Sequence, residues 1–214
     1  MIENRTPVGN KQSLIGGKLC LDFANTAEWH ASKHPEEKLK TYNDFVKWSL
    51  ISEILTEKEA QKLIRKGKKE SSRAKEVHKR ALELREAIYH VFSGVAKGNI
   101  PPKKDMTVIN LNLSRTMAQS RLVHAEDGFI WSTSRGEGEL DCMLDPIVRS
   151  AAELLTSESL GRVKECADDR GCGYLFLDNS RNRSRRWCDM ADCGNRAKAK
   201  RYYRKQKKVL HMAP

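Results

Sequence analysis

Apolar positions along the chain fall into a few patterned segments separated by polar ones. The clearest lies in residues 72–97, where Ala74, Val77, Ala81, Leu84, Ile88, Val91 and Val95 recur at spacings of three and four. This spacing predicts a long helix with one buried stripe. Gly98 supplies its stop, and Pro101-Pro102 forbids continuation. Upstream, Thr56 and Glu59 form a capping box in which the hydroxyl accepts from the third amide while the carboxylate reaches back. The helix that starts there is expected to end near Gly67, and Thr41-Tyr42-Asn43-Asp44 starts another one carrying Phe45, Val46 and Trp48. After Gly16-Gly17, the alternation of Leu19, Leu21 and Phe23 predicts a short strand. Residues 121–125 and 128–132 flank the Glu126-Asp127-Gly128 turn as a β-hairpin. A last helix turns Ile147, Val148, Ala151, Leu154 and Leu155 inward; Pro146 either follows the cap Asp145 or kinks a helix begun near Glu139. Residues 1–157 therefore read as an α+β domain, mostly helical, with short strands.

Composition adds a second region. The 214 residues suit one large domain or a medium one with a small companion, and 39% apolar residues can bury a core. A mean hydropathy of −0.66 and the lack of a long apolar run give no membrane span, and the polar start, Met1 to Arg5, gives no secretion signal. A cytoplasmic address is expected, where paired cysteines mark metal or redox sites more often than disulfides. The formal charge of +12 is uneven: residues 161–214 carry 15 Lys+Arg against 6 Asp+Glu, so a quarter of the chain holds most of the excess. The same stretch holds four of the six cysteines, which places a boundary near residues 157–161 and a small module over 161–210.

In that module Cys166 and Cys172 are followed, after fifteen residues, by Cys188 and Cys193. Two such pairs fit a tetrahedral thiolate site for one structural Zn(II); a thiol redox switch and an iron–sulfur cluster are the alternatives. Residues 162–166 and 174–178 look like strands, which puts the first pair at a hairpin tip, with Gly171 and Gly173 supplying backbone freedom around Cys172. The second pair precedes a strong helix former, so the module reads as a treble-clef-like zinc finger. About 55 residues this charged cannot stabilise themselves by burial, and a structural zinc contributes about 10–16 kcal/mol.

The charges suggest what the finger binds. Arg181, Arg183, Arg185 and Arg186 crowd the loop between the cysteine pairs, and Arg196, Lys198, Lys200, Arg201 and Arg204 follow on the helix. These nine are the candidate nucleic-acid contacts, with Arg185 and Arg186 expected to bind without holding the fold. By spacing, Arg196, Lys200, Tyr203 and Lys207 share one side of the helix and Lys198, Arg201, Lys205 and Lys208 another. Ala199, Tyr202 and Gln206 are expected to pack inward with Asn195. Between residues 179 and 208 there are 12 basic and 2 acidic residues, too few internal partners, so a polyanion is the expected relief. Double-stranded DNA is the expected target. Tyr174, Trp187, Tyr202 and Tyr203 keep RNA open through stacking, and a protein-interaction module with a merely solvated helix is the third reading.

Nothing in the sequence points to catalysis: there is no nucleophile elbow, P-loop or dinucleotide glycine fingerprint, so no catalytic residue and no enzyme is expected. His30 and His34 have metal-pair spacing, but polar neighbours and Pro35 argue against a site. Cys20 and Cys142 read as ordinary thiols, and Trp29, Trp48 and Trp131 as core.

The run ending Cys193-Gly194-Asn195-Arg196, preceded by Ser184-Arg185-Arg186-Trp187-Cys188, resembles the bacterial CGNR zinc-finger family. The stretches Gly16-Gly17-Lys18-Leu19-Cys20-Leu21-Asp22-Phe23 and Tyr42-Asn43-Asp44-Phe45-Val46 resemble its usual companion, the ABATE domain. The resemblance implies stress-responsive transcription regulation, a DNA-binding finger ligated by Cys166, Cys172, Cys188 and Cys193, and an N-terminal domain that senses an unidentified small-molecule effector.

Overall fold

A computed structural model of the chain describes residues 14–126, 128–134 and 138–210; the polar start and Asp127 of the predicted turn lie outside them. Six helices form the body: α1 (Leu19–Ala24), α2 (Tyr42–Ile51), α3 (Glu57–Lys69), α4 (Ser71–Ala96), α5 (Lys103–Gln119) and α6 (Leu144–Leu155). A 3-10 turn (Glu158–Arg162) leads to the C-terminal cysteines, and α7 (Asn195–Leu210) ends the described chain. The strands form three antiparallel pairs: β1 (Ala27–Glu28) with β2 (Glu36–Glu37), β3 (Ser120–Ala125) with β4 (Gly128–Thr133), and β5 (Val163–Glu165) with β6 (Leu175–Leu177). The fold is α+β and mostly helical. No helix among the described residues is long and apolar enough to cross a membrane.

Helix α4 is the spine. Val77, Ala81, Leu84, Ile88 and Val91 are fully or nearly buried, while Val95, at the fraying end, is half-buried. Burial of each large apolar side chain in this stripe is worth about 1.5–3 kcal/mol. Gly98 takes φ +72°, as the helix stop requires. Both capping boxes form: Thr41 Oγ1 accepts the Asp44 amide at 3.2 Å while the Thr41 amide donates to Asp44 at 2.9 Å, and Thr56 pairs with Glu59 in the same way. Helix α3 runs past Gly67 to Lys69.

Two expectations fail, and one helix goes unread, for identifiable reasons. Residues 19–24 are a helix, not a strand: Cys20, Leu21, Phe23 and Ala24 are all buried, and three alternating positions in six residues cannot separate a half-buried strand from a helix buried all round. The Asp22 carboxylate accepts the Gly16 amide at 2.7 Å, and burial pushes this carboxyl up to about 6. Helix α5 had no periodic signature because its inner line mixes Ile109 with buried Asn112 and Thr116. Asp145 does not cap α6, which begins at Leu144 without a side-chain cap; its carboxylate instead accepts from Thr116 Oγ1 at 2.7 Å, inside the α5–α6 interface. Pro146 sits in the first turn, where its missing amide costs nothing.

The β5–β6 hairpin is fastened to the body. Val163, Leu175 and Leu177 belong to the same apolar core as the helices. Asn25 pairs with β6 as a strand would, accepting the Leu175 amide at 2.8 Å and donating to its carbonyl at 2.9 Å. From α4, Ser93 donates to Glu165 at 2.5 Å, and Lys97 pairs with the same carboxylate at 2.8 Å.

Candidate metal centre and its basic surroundings

Cys166 leaves the end of β5 with its amide donating to the Tyr174 carbonyl at 2.8 Å, which closes the knuckle. Cys172 sits between Gly171 (φ +88°) and Gly173 (φ +69°), both in the left-handed region. Space demands glycine there too: a Cβ on Gly171 would lie 2.7 Å from the Ser32 backbone, and one on Gly173 2.6 Å from the Ala31 nitrogen. The body presses this strap of residues 29–32 onto the knuckle, and the His30 amide donates to the Cys172 carbonyl at 3.2 Å. On the other side, Asp189 accepts the Ala191 amide at 2.8 Å and starts the widened π turn (Met190–Gly194) that presents Cys193 at the foot of α7.

All four thiols are buried, and their sulfurs lie within 4.8 Å of one another. Cys172 and Cys188 sulfurs are 3.7 Å apart, and Cys188 and Cys193 sulfurs 3.8 Å. Tetrahedral zinc with bonds of about 2.3 Å requires sulfur separations of about 3.8 Å, so the set is sized for that ion. Protein donors support thiolates: the Cys188 amide points at Cys166 Sγ at 3.4 Å, and Arg196 Nη2 donates to Cys193 Sγ at 3.0 Å. Without a cation the cluster resists full ionisation. Hydrogen bonding with Cys166 and Cys172 pushes the Cys188 thiol up, and burial with neighbouring sulfur charge does the same to Cys193. These residues make the site for one zinc ion, which supplies charge compensation and a crosslink between hairpin and helix. Four cysteines fill a tetrahedral shell.

The nine predicted contact residues separate into two groups. Arg185 is committed internally: its guanidinium lies 4.4 Å from the Phe176 ring, Nε donates to the Trp187 carbonyl at 2.9 Å, and Nη2 reaches the Cys188 carbonyl. It holds the loop, which corrects the expectation that it binds without structural duty. Arg196 lies against Cys193, Asp168 and Asp192, with its guanidinium 5.6 Å from the Trp29 ring, and Lys200 pairs with Asp169. Arg181, Arg183, Arg186, Lys198, Arg201 and Arg204 stand exposed. Arg186, Arg201 and Arg204 face a cleft of about 490 Å³ between the knuckle and α7, with Trp187 in its wall.

The acidic partners were not visible as a pattern. Asp178 is fully buried and organises the arginine loop: it accepts the Ser180 amide at 3.0 Å and hydroxyl at 2.6 Å, the Arg185 amide at 3.0 Å, and pairs with Lys164 at 2.8 Å. Burial opposes its charge, but Lys164, Ser180 and the Arg185 amide outweigh it and hold this carboxyl well below the usual range. Asp168, Asp169 and Asp192 likewise occupy cations, so internal partners are more numerous than the charge count implied. Asp178-Asn179-Ser180 is a readable turn signal; the pairing of Asp168 with Arg196, 28 residues apart, leaves no local trace.

Helix α7 departs from expectation. Asn195, Ala199, Tyr202 and Gln206 are exposed rather than packed inward, as is every described side chain after Ala197. The side chains of Lys205 and Lys208 lie outside the described residues. Trp48 is core, but Trp29 is half-buried at φ +54° with Arg170 4.9 Å from its ring, and Trp131 is nearly half exposed. His30 and His34 form no pair: His30 Nε2 lies 2.9 Å from Glu86, and His34 is exposed. Cys20 is buried and Cys142 half-buried.

Comparison with family models gives two adjoining matches. Residues 17–158 match ABATE, whose description is "putative stress-induced transcription regulator", and residues 162–206 match the CGNR zinc finger. A search of curated proteins finds no match.

Proposed function

We propose, because the chain belongs to the ABATE family and continues into a CGNR zinc finger, that it is a transcription regulator that binds duplex DNA. The observation that carries this reading is α7 itself. Its sixteen residues include eight Lys or Arg and no acid, and beyond Ala197 no described side chain is buried against the protein. A helix of this length spans about 24 Å and is narrow enough for the major groove. The four-cysteine site fixes its first turn, so the helix meets DNA as a rigid rod. Arg186 shares a cleft with that turn, exposed Arg181 and Arg183 in the preceding loop serve with it as phosphate ligands, and Lys198, Arg201 and Arg204 lie along the rod. Arg196 and Lys200 serve from within, by orienting the helix on Asp168 and Asp169. In this reading the protein works in the cytoplasm, where thiols stay reduced, and carries out no reaction of its own.

The effector-sensing role belongs to the body. A cleft of about 400 Å³ is lined by His30, Glu37, Arg85, Glu86, Tyr89 and His90. Buried Arg85 makes a two-pronged pair with Glu37, 2.7 Å on each prong, leaving a polar wall for a small molecule.

Binding to random duplex DNA across a salt series tests the assignment. If about four to six phosphates are contacted, log K falls against log salt with a slope of about −4 to −5. Arg201→Ala with Arg204→Ala lowers affinity about tenfold or more at unchanged zinc content. A flat salt response overturns the reading and favours a protein-interaction finger. RNA is the second reading, favoured by Tyr202 and Tyr203, which are 60% and 67% exposed and offer stacking faces to unpaired bases. Competition between duplex DNA and structured RNA at fixed salt separates the two.

A further inference from the structure

The body cleft and the zinc knuckle share a wall, and two neighbours in the strap of residues 29–32 serve its two sides. The Trp29 ring takes the Arg170 guanidinium at 4.9 Å and that of Arg196 at 5.6 Å, and Arg196 in turn donates to Cys193 Sγ. His30 lines the cleft, while its amide donates to the Cys172 carbonyl at 3.2 Å. Tyr89, also in the cleft wall, lies against the His30 ring with centroids 3.5 Å apart. It borders the knuckle too, since a Cβ on Gly173 would sit 2.9 Å from its hydroxyl. The strap is strained: Trp29 holds φ +54°, in the left-handed region that bulky side chains avoid.

The hydrogen bonds already made in the cleft define what it takes. The buried Arg85 guanidinium is spent: Nη1 and Nη2 reach Glu37 at 2.7 Å each, and Nε and Nη2 reach Glu86 at 3.0 and 2.8 Å. His90 pairs with Asp105 at 3.2 Å. Glu37 and Glu86 remain 33% and 38% exposed at the cleft. Burial opposes the Glu86 charge, but His30 and Arg85 outweigh it and hold this carboxyl down to about 2. Two carboxylates against one guanidinium leave a negative excess, on a chain whose formal charge is +12. The His30 side chain is 8% exposed; Nε2 lies 2.9 Å from Glu86, and Nδ1 is buried with no partner among the described residues. A carboxylate only accepts, so the ring proton sits on Nε2 and Nδ1 is left with a lone pair. The unspent capacity is that of acceptors, and an anion meets two carboxylates and no free guanidinium N–H.

We propose that this cleft binds a small organic cation, whose ammonium or guanidinium N–H groups donate to Glu37, Glu86 and His30 Nδ1, and that the strap reports its occupancy to the zinc finger. From the effector-sensing reading of the body the proposal takes only that the cleft binds a small molecule; it adds the chemical class and the route. The route follows from the enclosure of Nδ1. A donor reaches that atom only when the imidazole moves off Tyr89. That movement pulls on a backbone whose amide is bonded to Cys172 and whose neighbour Trp29 is already strained. The cation therefore favours a lifted strap, in which Trp29 is relieved. Zinc favours the seated one, which packs against Gly171 and Gly173 on either side of Cys172. By linkage each ligand weakens the other.

The test uses the full, zinc-loaded chain and methylguanidinium chloride, with sodium acetate at equal ionic strength as the anionic probe. Methylguanidinium is expected to bind saturably, with Kd of about 1–10 mM, and to shift the amide resonances of residues 30, 37 and 86. At saturation, zinc affinity in competition with a chromophoric chelator should fall about fivefold. Glu37→Gln should weaken the cation at least about fivefold and cancel its effect on zinc; circular dichroism and zinc content check that this variant folds, and the parent titration decides the matter by itself if it does not. Absence of saturable methylguanidinium binding overturns the proposal, as does binding that leaves zinc affinity unchanged or that a folded Glu37→Gln chain retains in full. Saturable acetate binding in place of the cation overturns the chemical class and leaves the effector reading standing. DNA affinity measured alongside keeps the two apart: a cation that weakens zinc without lowering DNA affinity upholds this proposal and removes the effector reading.

Discussion

The β5–β6 hairpin carries Cys166 and Cys172, and the loop and π turn that lead into α7 carry Cys188 and Cys193, yet hairpin and helix are attached to the molecule in opposite ways. The hairpin is part of the body's core through Val163, Leu175 and Leu177, and Asn25, Ser93 and Lys97 hold it laterally. Helix α7 buries almost nothing of its own. What holds its foot is a set of polar bonds: Cys188 and Cys193 beside the other two sulfurs, and Arg196 on Cys193 and Asp168. Apolar burial is indifferent to metal, whereas clustered thiolates require a cation. One half of the finger is therefore a fixed anvil and the other a conditional attachment.

Removing the metal is the strongest way to break this comparison. Chelation, or Cys193→Ser, is expected to release α7 while the hairpin stays in place. Amide hydrogen exchange over residues 195–206 should rise to that of an open chain, while Val163, Leu175 and Leu177 keep their protection. Nucleic-acid affinity should fall at least about 100-fold, or about 3 kcal/mol. Simultaneous loss of protection in β5 and β6 would mean that the hairpin too depends on the ion.

The complementary attack is on the anvil. Gly173→Ala sets a methyl 2.6 Å from the Ala31 nitrogen and strains φ +69°. We expect a loss of about 2–4 kcal/mol by denaturant titration. Gly98→Ala is the control: it has nearly the same φ, +72°, with nothing within 4 Å of the added carbon, so strain alone should cost about 1–2 kcal/mol. Equal losses at both sites would remove the argument that the strap of residues 29–32 seats the knuckle.

The same contrast explains what the sequence disclosed. Thiol pairs, glycines beside Cys172, capping boxes and the α4 stripe are local patterns, and each is where local chemistry puts it. Helix α5 was missed because polar Asn112 and Thr116 occupy its inner face, and α1 was misread because six residues are too few to fix a period. The arginine loop is only half legible. Four arginines are plain in the sequence, but the internal commitment of Arg185 is set by Phe176 and Asp178, and that of Arg196 by Asp168 and Trp29. Charge can be counted from composition; which charges are already spoken for depends on pairings across tens of residues.

That division of the arginines gives the next test. Arg196→Ala removes a donor from Cys193 Sγ and should weaken zinc about tenfold in competition with a chromophoric chelator, the usual cost of losing a residue that supports a ligand. Arg201→Ala should leave zinc affinity unchanged and lower only nucleic-acid binding. If the two variants behave alike, Arg196 belongs with the outward contacts after all.

The smallest effect separates two carboxylates, half-buried Asp22 in the body and fully buried Asp178 in the finger. Asp22, in the body, is raised by burial to about 6, so the folded state holds its proton more tightly than the unfolded chain. Its stabilising share is complete below about pH 4 and is lost as pH rises toward 6. Asp178, within the finger, is depressed, so its share is complete above the ordinary carboxylate range and is lost only in strong acid. Asn at position 22 keeps an acceptor for the Gly16 amide without a buried charge. Relative to the parent, Asp22→Asn should therefore gain about 1 kcal/mol in denaturant titrations between pH 4.5 and 7. Asp178→Asn should be destabilised by an amount that does not change over that interval. A pH-independent difference for Asp22→Asn would show that its carboxylate is charged throughout, and that the body, like the finger, buries its acids only with a partner.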